Sequence, residues 1–304
     1  IFDTIKSVFR KYGFEQIETP AIERLETLTG KYGEEGDKLL FKILNSGDYF
    51  SEIRNRKSEI RNLDSKEVTT LISEKGLRYE VTVPLARYVV QHQDELAFPF
   101  KRFHIGPVWR ADRPQKGRYQ EFYQCDADVI GSTSLLNEVE LTKIYAEVFE
   151  KLGLAVTVQL NNRQIFHGIT SYFGIFDVEI ETFIGILDKV DKIGIEKAVE
   201  EMNKIHNKST GLEEISVESL SRFGEKIYDG SNSWEDVIDK LQKAIPENPK
   251  FKMELWADIN KNFLSVLKSF EFGTKVMLNT SLARGLSYYT GIIWEVVLDK
   301  SVEA

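Results

Sequence analysis

Two strand-like segments joined by a polar loop constrain the fold of this chain more than any other feature. Residues 103–110 (FHIGPVWR) and 120–130 (QEFYQCDADVI) have the pattern of β-strands, and the loop between them contains Pro114 and Gly117. Successive strands separated by turn residues usually pair with each other in the antiparallel direction. We therefore predict a β-hairpin with a long, polar tip.

The tip and the second strand of this hairpin carry opposite charges. Residues 110–118 have a net charge of +3, and their charged side chains are Arg110, Arg113, Lys116, Arg118 and Asp112. The two-residue period of a strand gives residues 120–130 one polar face, made of Phe122, Gln124, Asp126 and Asp128. Because guanidinium groups bind phosphate and carboxylates accept N–H bonds, the pattern suits a zwitterionic or cationic substrate beside a polyphosphate. A solvated basic loop with ordinary surface acids is the alternative.

The first hundred residues predict short elements of both kinds. Residues 1–12 have one apolar helical face, and residues 14–22 (FEQIETPAI) alternate as a half-buried strand does. Residues 77–83 (LRYEVTV) also alternate, so we predict a strand with one polar face, formed by Arg78, Glu80 and Thr82. Residues 30–41 fit no phosphate-binding glycine pattern, and we predict a mobile surface loop there.

The rest of the chain changes from helices back to strands. A helix over 135–152 and a strand over 155–160 precede a long stretch of helical periodicity. Strand patterns return at 274–278 and 288–298, and the second of these is too apolar for an edge strand. This order predicts an α+β fold in which a helical insertion, residues 163–270, separates two parts of one core, residues 1–162 and 271–304.

Composition excludes several classes of protein. The chain has 304 residues, 42% of them hydrophobic, which is enough for one large or two ordinary domains. No long apolar run or signal-peptide pattern is present, so we expect a cytoplasmic protein without a membrane partner. The single cysteine forms no internal disulfide, and the four histidines lack metal-ligand spacing, so we expect no dedicated metal site. The net charge of −8 means that nucleic acid would need a local basic patch.

Two longer motifs resemble those of one enzyme family. RPQKGRYQEFYQCDADVIG (113–131) closely resembles motif 2 of the class II histidyl-tRNA synthetases, and ARGLSYYTG (283–291) resembles the histidine-specific motif of that family. The opening helix with IETPAIE resembles motif 1, and LRYEVTVPLARYV resembles the substrate strand of the family. The resemblance extends from residue 1 to about residue 298 and is weakest between 205 and 270.

The resemblance implies an antiparallel sheet flanked by helices, with a helical insertion, and a ligase activity in two steps. L-Histidine attacks the α-phosphate of ATP, and the adenylate then esterifies the 3′ end of tRNA(His). Mg²⁺ would arrive with ATP, and motif 1 implies a homodimer. The insertion would approach the acceptor stem of the tRNA, although a structural cap with a solvated, charged surface is the alternative.

The resemblance also assigns the phosphate-binding and nucleotide-binding side chains. Arg110 would bind the α-phosphate and the carboxylate of histidine, and Arg284 would face the α-phosphate from the other side, which makes these two the catalytic residues. Arg118 would contact the outer phosphates. Phe122 would stack on adenine, which Asp112 would also contact. The chemistry would be positioning and electrostatics without a general base.

The histidine-binding residues implied by the resemblance lie in three segments. Glu80, Thr82 and Gln124 would hold the ammonium group, while Asp128 and Tyr289 would bind the two imidazole nitrogens. The wider set consists of Glu80, Val81, Thr82, Arg110, Gln124, Asp128, Arg284, Tyr288 and Tyr289. Neutral imidazole has one donor and one acceptor, so a carboxylate and a phenol are complementary to it. Such a site rejects analogues without these groups by roughly 10⁴- to 10⁵-fold.

Some positions depart from the family pattern. Asp112 stands where motif 2 usually has Glu, Gln120 stands where many relatives have Arg, and Ser287 stands at a position that is often acidic. The sequence ends before any segment that resembles motif 3 or the anticodon-binding domain. We therefore expect a fragment of a longer protein that adenylates poorly by itself.

Two rival functions share this fold. A noncatalytic synthetase paralogue regulates histidine biosynthesis, but such paralogues typically lose the histidine-specific motif that is intact here. A synthetase-like domain within a stress-sensing kinase would keep the histidine contacts only in part.

Overall fold

The chain forms two compact units in a computed structural model. Unit 1 is Ile1–Thr133 and unit 2 is Ser134–Ala304. The structure describes residues 1–30, 33–55, 64–173, 175, 179–205, 215–220, 234–244, 253–279, 282–283 and 289–299. No helix in these ranges is both long and apolar enough to cross a bilayer.

Unit 1 begins with the predicted opening helix. Helix α1 is Phe2–Lys11, and its buried face consists of Ile5, Val8 and Phe9. The chain leaves the helix at Gly13, whose φ of +79° is a conformation that glycine adopts without strain. The prediction for residues 1–12 is confirmed.

The hairpin lies in a three-stranded sheet beside this helix. Strands β5 (Phe100–Trp109) and β6 (Glu121–Ile130) pair antiparallel over their full length, which confirms the predicted hairpin. The short strand β1 (Glu15–Gln16) adds to β5 in the parallel direction. Phe9 of α1 packs against Phe103 of β5 with ring centres 5.3 Å apart. One face of the hairpin is therefore covered by α1.

The described part of unit 1 also contains a second small sheet and five further helices. The sheet has the antiparallel order β2-β4-β3, with β2 at Ile22–Arg24, β3 at Lys42–Ile43 and β4 at Lys75–Leu77. The helices are α2 (Leu25–Leu28), α3 (Gly33–Lys38), α4 (Ser51–Asn55), α5 (Ser65–Ile72) and α6 (Thr82–Gln91). Helix α5 begins with a capping box between Asp64 and Glu67.

Three predictions for unit 1 need correction. Residues 14–22 form no single strand, because β1 and β2 belong to different sheets. The strand predicted over 77–83 ends at Leu77, and helix α6 begins at Thr82, so Arg78, Glu80 and Thr82 share no strand face. The loop predicted over 30–41 contains helix α3. Asp37 of this helix accepts a hydrogen bond from the backbone N–H of Gly30, which links the helix to the first residue of the segment.

Unit 2 is built on a sheet whose central strand is β7. Strand β7 (Val156–Asn162) pairs in parallel with β8 (Lys275–Leu278) and antiparallel with β9 (Ile292–Leu298). Among the described residues β9 pairs only with β7, and Leu298 is 52% exposed. The prediction that this apolar segment is not an edge strand is therefore wrong for this part of the chain.

Helices surround this sheet and form one hydrophobic core with it. Helix α7 (Leu136–Lys151) precedes β7, and the helices between β7 and β8 are α8 (Ile165–Tyr172), α9 (Glu179–Leu187), α10 (Val190–Ile193), α11 (Ile195–Ile205), α12 (Trp234–Ala244) and α13 (Met253–Lys268). Their buried side chains share a cluster with Val158 and Leu160 of β7. The α+β fold is therefore confirmed, whereas the domain limits proposed from the sequence stay a prediction.

Candidate functional site

The register of the hairpin gathers polar side chains on one face. Opposite residues on antiparallel strands project to the same side. The pairs are Arg102 with Asp128, His104 with Asp126, Gly106 with Gln124 and Val108 with Phe122. The other face carries Phe103 and Tyr123, which contact helix α1 through Phe9 and Phe2. The acidic face predicted from the two-residue period thus lies on the side of the sheet away from α1.

Arg102 lies at the centre of this polar face. Its side chain is fully buried at 0% exposure, and its Nε lies 3.2 Å from Oδ2 of Asp128. The angle at that contact is not that of a hydrogen bond, so it is an ion pair. Nη2 of Arg102 donates to the carbonyl oxygen of Val81 at 2.6 Å. Burial lowers the pKa of Arg102, and the nearby Asp128, Asp126 and Glu80 oppose this effect.

The two aspartates of β6 hold protons more tightly than ordinary carboxyl groups. Burial, followed by the charge of Asp128, raises the pKa of Asp126 to about 7. Burial also raises the pKa of Asp128, while the guanidinium of Arg102 acts in the opposite direction. The face therefore changes charge near neutral pH.

Two side-chain oxygens on this face accept no hydrogen bond from the described residues. They are Oε1 of Gln124 and Oδ2 of Asp128, and both are buried. Buried polar atoms in folded proteins rarely lack a hydrogen-bond partner. Both atoms belong to residues predicted to bind histidine, so their arrangement suits a ligand that brings its own N–H groups.

Glu80 has a different surrounding from the one expected. Its carboxylate accepts hydrogen bonds from the backbone N–H of Thr82 at 2.5 Å and of Val83 at 2.9 Å. Through these two bonds the buried Glu80 caps the start of helix α6. Thr82 is exposed. The turn with Glu80, Val81 and Thr82 reaches the hairpin through the bond from Arg102 to Val81.

Arg110 is held between two aromatic rings at the base of the tip. Its guanidinium carbon lies 4.3 Å from the ring centre of Tyr79 and 5.0 Å from that of Phe122. Its Nε donates to the carbonyl oxygen of Tyr79 at 3.2 Å. These contacts fix the guanidinium at one end of the polar face while leaving its outer N–H groups for an anion.

Residues 113–120 of the tip are exposed, and Asp112 is half-buried. Arg118 pairs with Asp112 at 3.4 Å, and Gln120 donates to the backbone carbonyl of Asp112. Arg118 is about half exposed in this pair. The structure thus brings Arg118 and Asp112 together, and their roles in nucleotide binding stay predictions.

Three predicted residues lie in the histidine-specific motif of unit 2. Arg284 and Tyr288 lie outside the described residues, and Tyr289 is 37% exposed. The described ends of this segment are held by the end of β7. Asn161 donates to the carbonyl oxygen of Leu282 at 2.9 Å, and the backbone N–H of Arg163 donates to that of Gly291 at 2.8 Å.

Sequence reasoning missed two buried polar residues of the face. Arg102 and His104 occupy the strand positions directly opposite Asp128 and Asp126. Arg78 lies beside them and donates to the carbonyl oxygens of Thr19 and Pro107. The two-residue period, applied to 100–109 as well as to 120–130, would have found Arg102 and His104.

Among the described residues, no group of three or more His, Cys, Asp or Glu side chains is placed to hold a metal ion. Lys and Arg are the charged partners of the carboxylates there.

Comparisons with known proteins agree with this architecture. A family model for histidyl-tRNA synthetase matches residues 64–304. The histidine–tRNA ligase of Bacteroides fragilis (strain YCH46) is 47% identical over 297 residues, which cover 97% of this chain and 62% of the relative. That of Porphyromonas gingivalis is 48% identical, with the same two shares covered.

Solved structures give the same result. The histidyl-tRNA synthetase from Nostoc sp. PCC 7120 matches with a TM-score of 0.69 and 28% identity, over 98% of this chain and 60% of that one. A Bacillus halodurans C protein described as an ATP phosphoribosyltransferase regulatory subunit/histidyl-tRNA synthetase has a TM-score of 0.70, covers 98% and 67%, and at 19% identity supports the fold alone.

The fold and the motif-bearing hairpin define an aminoacyl-tRNA synthetase of class II. Within that class, the chain belongs to the histidyl-tRNA synthetase family. It spans about 62% of the length of the curated relatives it matches.

Proposed function

We propose that the protein containing this chain is a histidine–tRNA ligase of the cytoplasm. In the first step a carboxylate oxygen of L-histidine bonds to the α-phosphorus of ATP, and pyrophosphate leaves. In the second step the terminal ribose hydroxyl of tRNA(His) attacks the adenylate carbonyl, and AMP leaves. The observation that supports this most is the polar face of the hairpin. Side-chain oxygens of Gln124 and Asp128 that accept no hydrogen bond lie there, on the same strand as Phe122, whose ring contacts Arg110.

Asp128 and Gln124 select the amino acid in this proposal. An imidazole N–H donates to Asp128, and the ammonium group donates to Gln124, Glu80 and Thr82. The Glu80 oxygens already accept two backbone N–H bonds, so Glu80 acts as a shared acceptor rather than a free carboxylate. By the family resemblance, Tyr289 binds the second imidazole nitrogen, and Val81 and Tyr288 belong to the wider set of histidine-binding residues.

Arg110 supplies charge where the reaction develops it. Its fixed guanidinium binds the α-phosphate and the histidine carboxylate, and Arg284 stabilises the pentacovalent centre from the other side. Arg118 binds the outer phosphates, and Mg²⁺ would be bound by the same phosphates. Phe122 and Asp112 bind the adenine. A preorganised guanidinium of this kind contributes without reorganising during the step.

The test is histidine-dependent exchange of pyrophosphate into ATP by the full-length protein. We expect exchange with L-histidine and none with leucine or phenylalanine. Asp128→Asn should raise the KM for histidine by about 10- to 100-fold, because it removes a charge-assisted hydrogen bond. Lys143→Gln, on α7 in unit 2, is the control and should leave the KM for histidine and the KM for ATP unchanged. Exchange that does not depend on histidine would contradict the proposal.

The regulatory paralogue is less well supported. The curated relatives at 47% identity are named ligases, whereas the match with a regulatory subunit in its description has 19% identity. A regulatory subunit would bind histidine without catalysing exchange, so the same assay separates the two functions.

We also propose that the protein is a homodimer and that the helical insertion approaches the tRNA. Both ideas come from the family resemblance. Sedimentation of the full-length protein tests the first, and a monomer would contradict it. Removal of the insertion tests the second, since it should weaken tRNA charging more than pyrophosphate exchange.

A further inference from the structure

We infer that Arg102 is a positioning residue that holds the two sides of the histidine pocket in one arrangement. This inference rests on the proposed function and adds a residue to it. Arg102 itself is fully buried and touches Asp128 on one side and the Val81 turn on the other.

The two contacts come from one rigid group. Nε of Arg102 lies 3.2 Å from Oδ2 of Asp128, and Nη2 donates to the Val81 carbonyl oxygen at 2.6 Å. A guanidinium is planar, so the positions of its nitrogens relative to each other are fixed. The distance between the carboxylate and the turn is therefore set by the dimensions of a single side chain.

Each contact lies next to a group with a predicted role in binding histidine. Asp128 faces the imidazole, and Val81 lies between Glu80 and Thr82 on the ammonium side. The Glu80 carboxylate binds the backbone N–H of Thr82 and Val83, which makes residues 80–83 one rigid turn. A displacement of Val81 would thus carry Glu80 and Thr82 with it.

The charge of Arg102 has a second effect on Asp128. The charged groups that face Asp128 are Arg102 from β5, Glu80 from the turn before α6 and Asp126 from its own strand. Of these, only the guanidinium lowers the pKa of Asp128, against the effect of burial. Without it, the pKa of Asp128 would rise further, which favours the protonated form that donates as well as accepts.

A second buried arginine shows what a purely structural role looks like. Arg78 is 4% exposed, and its guanidinium donates to the carbonyl oxygens of Thr19 and Pro107. These bonds connect backbone segments, and none of them goes to a carboxylate. Arg78 is therefore the matched control for Arg102.

The test compares Arg102→Gln, Arg102→Lys and Arg78→Gln in the full-length protein by pyrophosphate exchange between pH 6 and 9. We expect Arg102→Gln to raise the KM for histidine by about 10- to 100-fold at pH 7 while the KM for ATP stays within about twofold. The KM for histidine should fall again as the pH rises and Asp128 ionises. Arg102→Lys keeps the positive charge but lacks the planar guanidinium. Its KM for histidine should therefore be raised, while the pH dependence of that KM should be close to that of the wild type.

Arg78→Gln should lower the melting temperature without changing the pH dependence of the KM for histidine. Equal changes in the KM for histidine and for ATP in Arg102→Gln, or a pH profile like that of the wild type, would overturn the inference. If Arg102→Gln does not fold, an unchanged KM for histidine in Arg102→Lys overturns it and a selective rise supports it. A wild-type protein without exchange contradicts the proposed function, and calorimetric histidine binding by wild type and Arg102→Lys then decides the role of Arg102.

Discussion

The guanidinium carbon of Arg110 lies 4.3 Å from the ring centre of Tyr79, and Nε of Arg110 donates to the backbone carbonyl of the same residue. Tyr79 thus orients the arginine by its ring and by its backbone at once. A substitution of Tyr79 can remove only the ring contact, so its effect on Arg110 is measurable separately.

We predict that Tyr79→Leu slows adenylate formation by about 2- to 30-fold, the equivalent of about 0.5–2 kcal/mol for a cation–π contact. The reason is that Arg110 would lose one of the two rings that hold it. Single-turnover measurement of adenylate formation checks this. Tyr79→Phe keeps the ring and should react at the wild-type rate, and a Phe variant as slow as the Leu variant would refute the prediction.

Glu80 combines a helix cap with a predicted ligand contact, and two variants separate these roles. Glu80→Ala removes both acceptors of the Thr82 and Val83 N–H groups and should lower the free energy of unfolding by about 1–2 kcal/mol. Glu80→Gln retains one oxygen and should lose less stability, yet both variants should raise the KM for histidine. Urea unfolding and pyrophosphate exchange are the measurements. An unchanged stability in Glu80→Ala would show that the cap is unimportant.

His104 should remain neutral well below the pH at which histidine usually gains its proton. Burial, followed by the charges of Arg78 and Arg102, lowers the pKa of His104 to about 4 from 6.5. As the pH falls from about 6.5 to 4, His104 becomes protonated in the unfolded chain but stays neutral in the folded chain. This group therefore lowers the free energy of unfolding by up to about 3 kcal/mol over that range.

The comparison of wild type with His104→Gln measures this effect. Asp126 has the opposite sign, because its raised pKa stabilises the folded state as the pH falls below about 7. The Asp126 contribution is present in both proteins and largely cancels in their difference. The wild type should lose stability relative to His104→Gln as the pH drops from 6.5 to 4. A difference independent of pH, or an NMR titration of His104 near 6.5, would disagree with the structure.

Gly76 is required by the packing of the second sheet. A Cβ at this position would lie 2.8 Å from the carbonyl oxygen of Phe41 and 2.8 Å from Cδ2 of Leu25. The carbonyl belongs to the backbone and cannot turn away, so Gly76→Ala should cost about 1–3 kcal/mol of folding free energy. Gly185 on helix α9 has no atom near its added Cβ, and Gly185→Ala should be neutral or stabilising by up to about 1 kcal/mol. Thermal unfolding of both variants tests the contrast.

The hairpin was predictable because two segments with a strand pattern flank a polar loop that contains Pro114 and Gly117, and each of them forms a strand of ten residues. The strand predicted at 77–83 failed because alternation over seven residues coincided with a helix start. Pro84 lies in the first turn of α6, where proline is tolerated, and Glu80 caps the helix from outside it. These two residues were the local signal for a helix.

The site was only half predictable for a related reason. The period of one strand identifies which side chains share a face, so Gln124 and Asp128 were found. Which residues lie opposite depends on the register between strands, and that is set by the whole hairpin. That Arg102 lies opposite Asp128 and His104 opposite Asp126 became visible only with this register.

The order of strands in unit 2 affects how the protein is made. Strand β7, with Val156, Val158 and Leu160 buried, pairs with β8 and β9, which are translated more than a hundred residues later. At about 5–20 residues per second, β7 leaves the ribosome roughly 5–25 s before its partner strands exist. During that interval helix α7, which precedes β7, and the helices that follow β7 are the described elements of unit 2 available to cover its apolar side chains. Conditions that slow translation between residues 163 and 274 would therefore lengthen the exposure of β7 to chaperones and to aggregation.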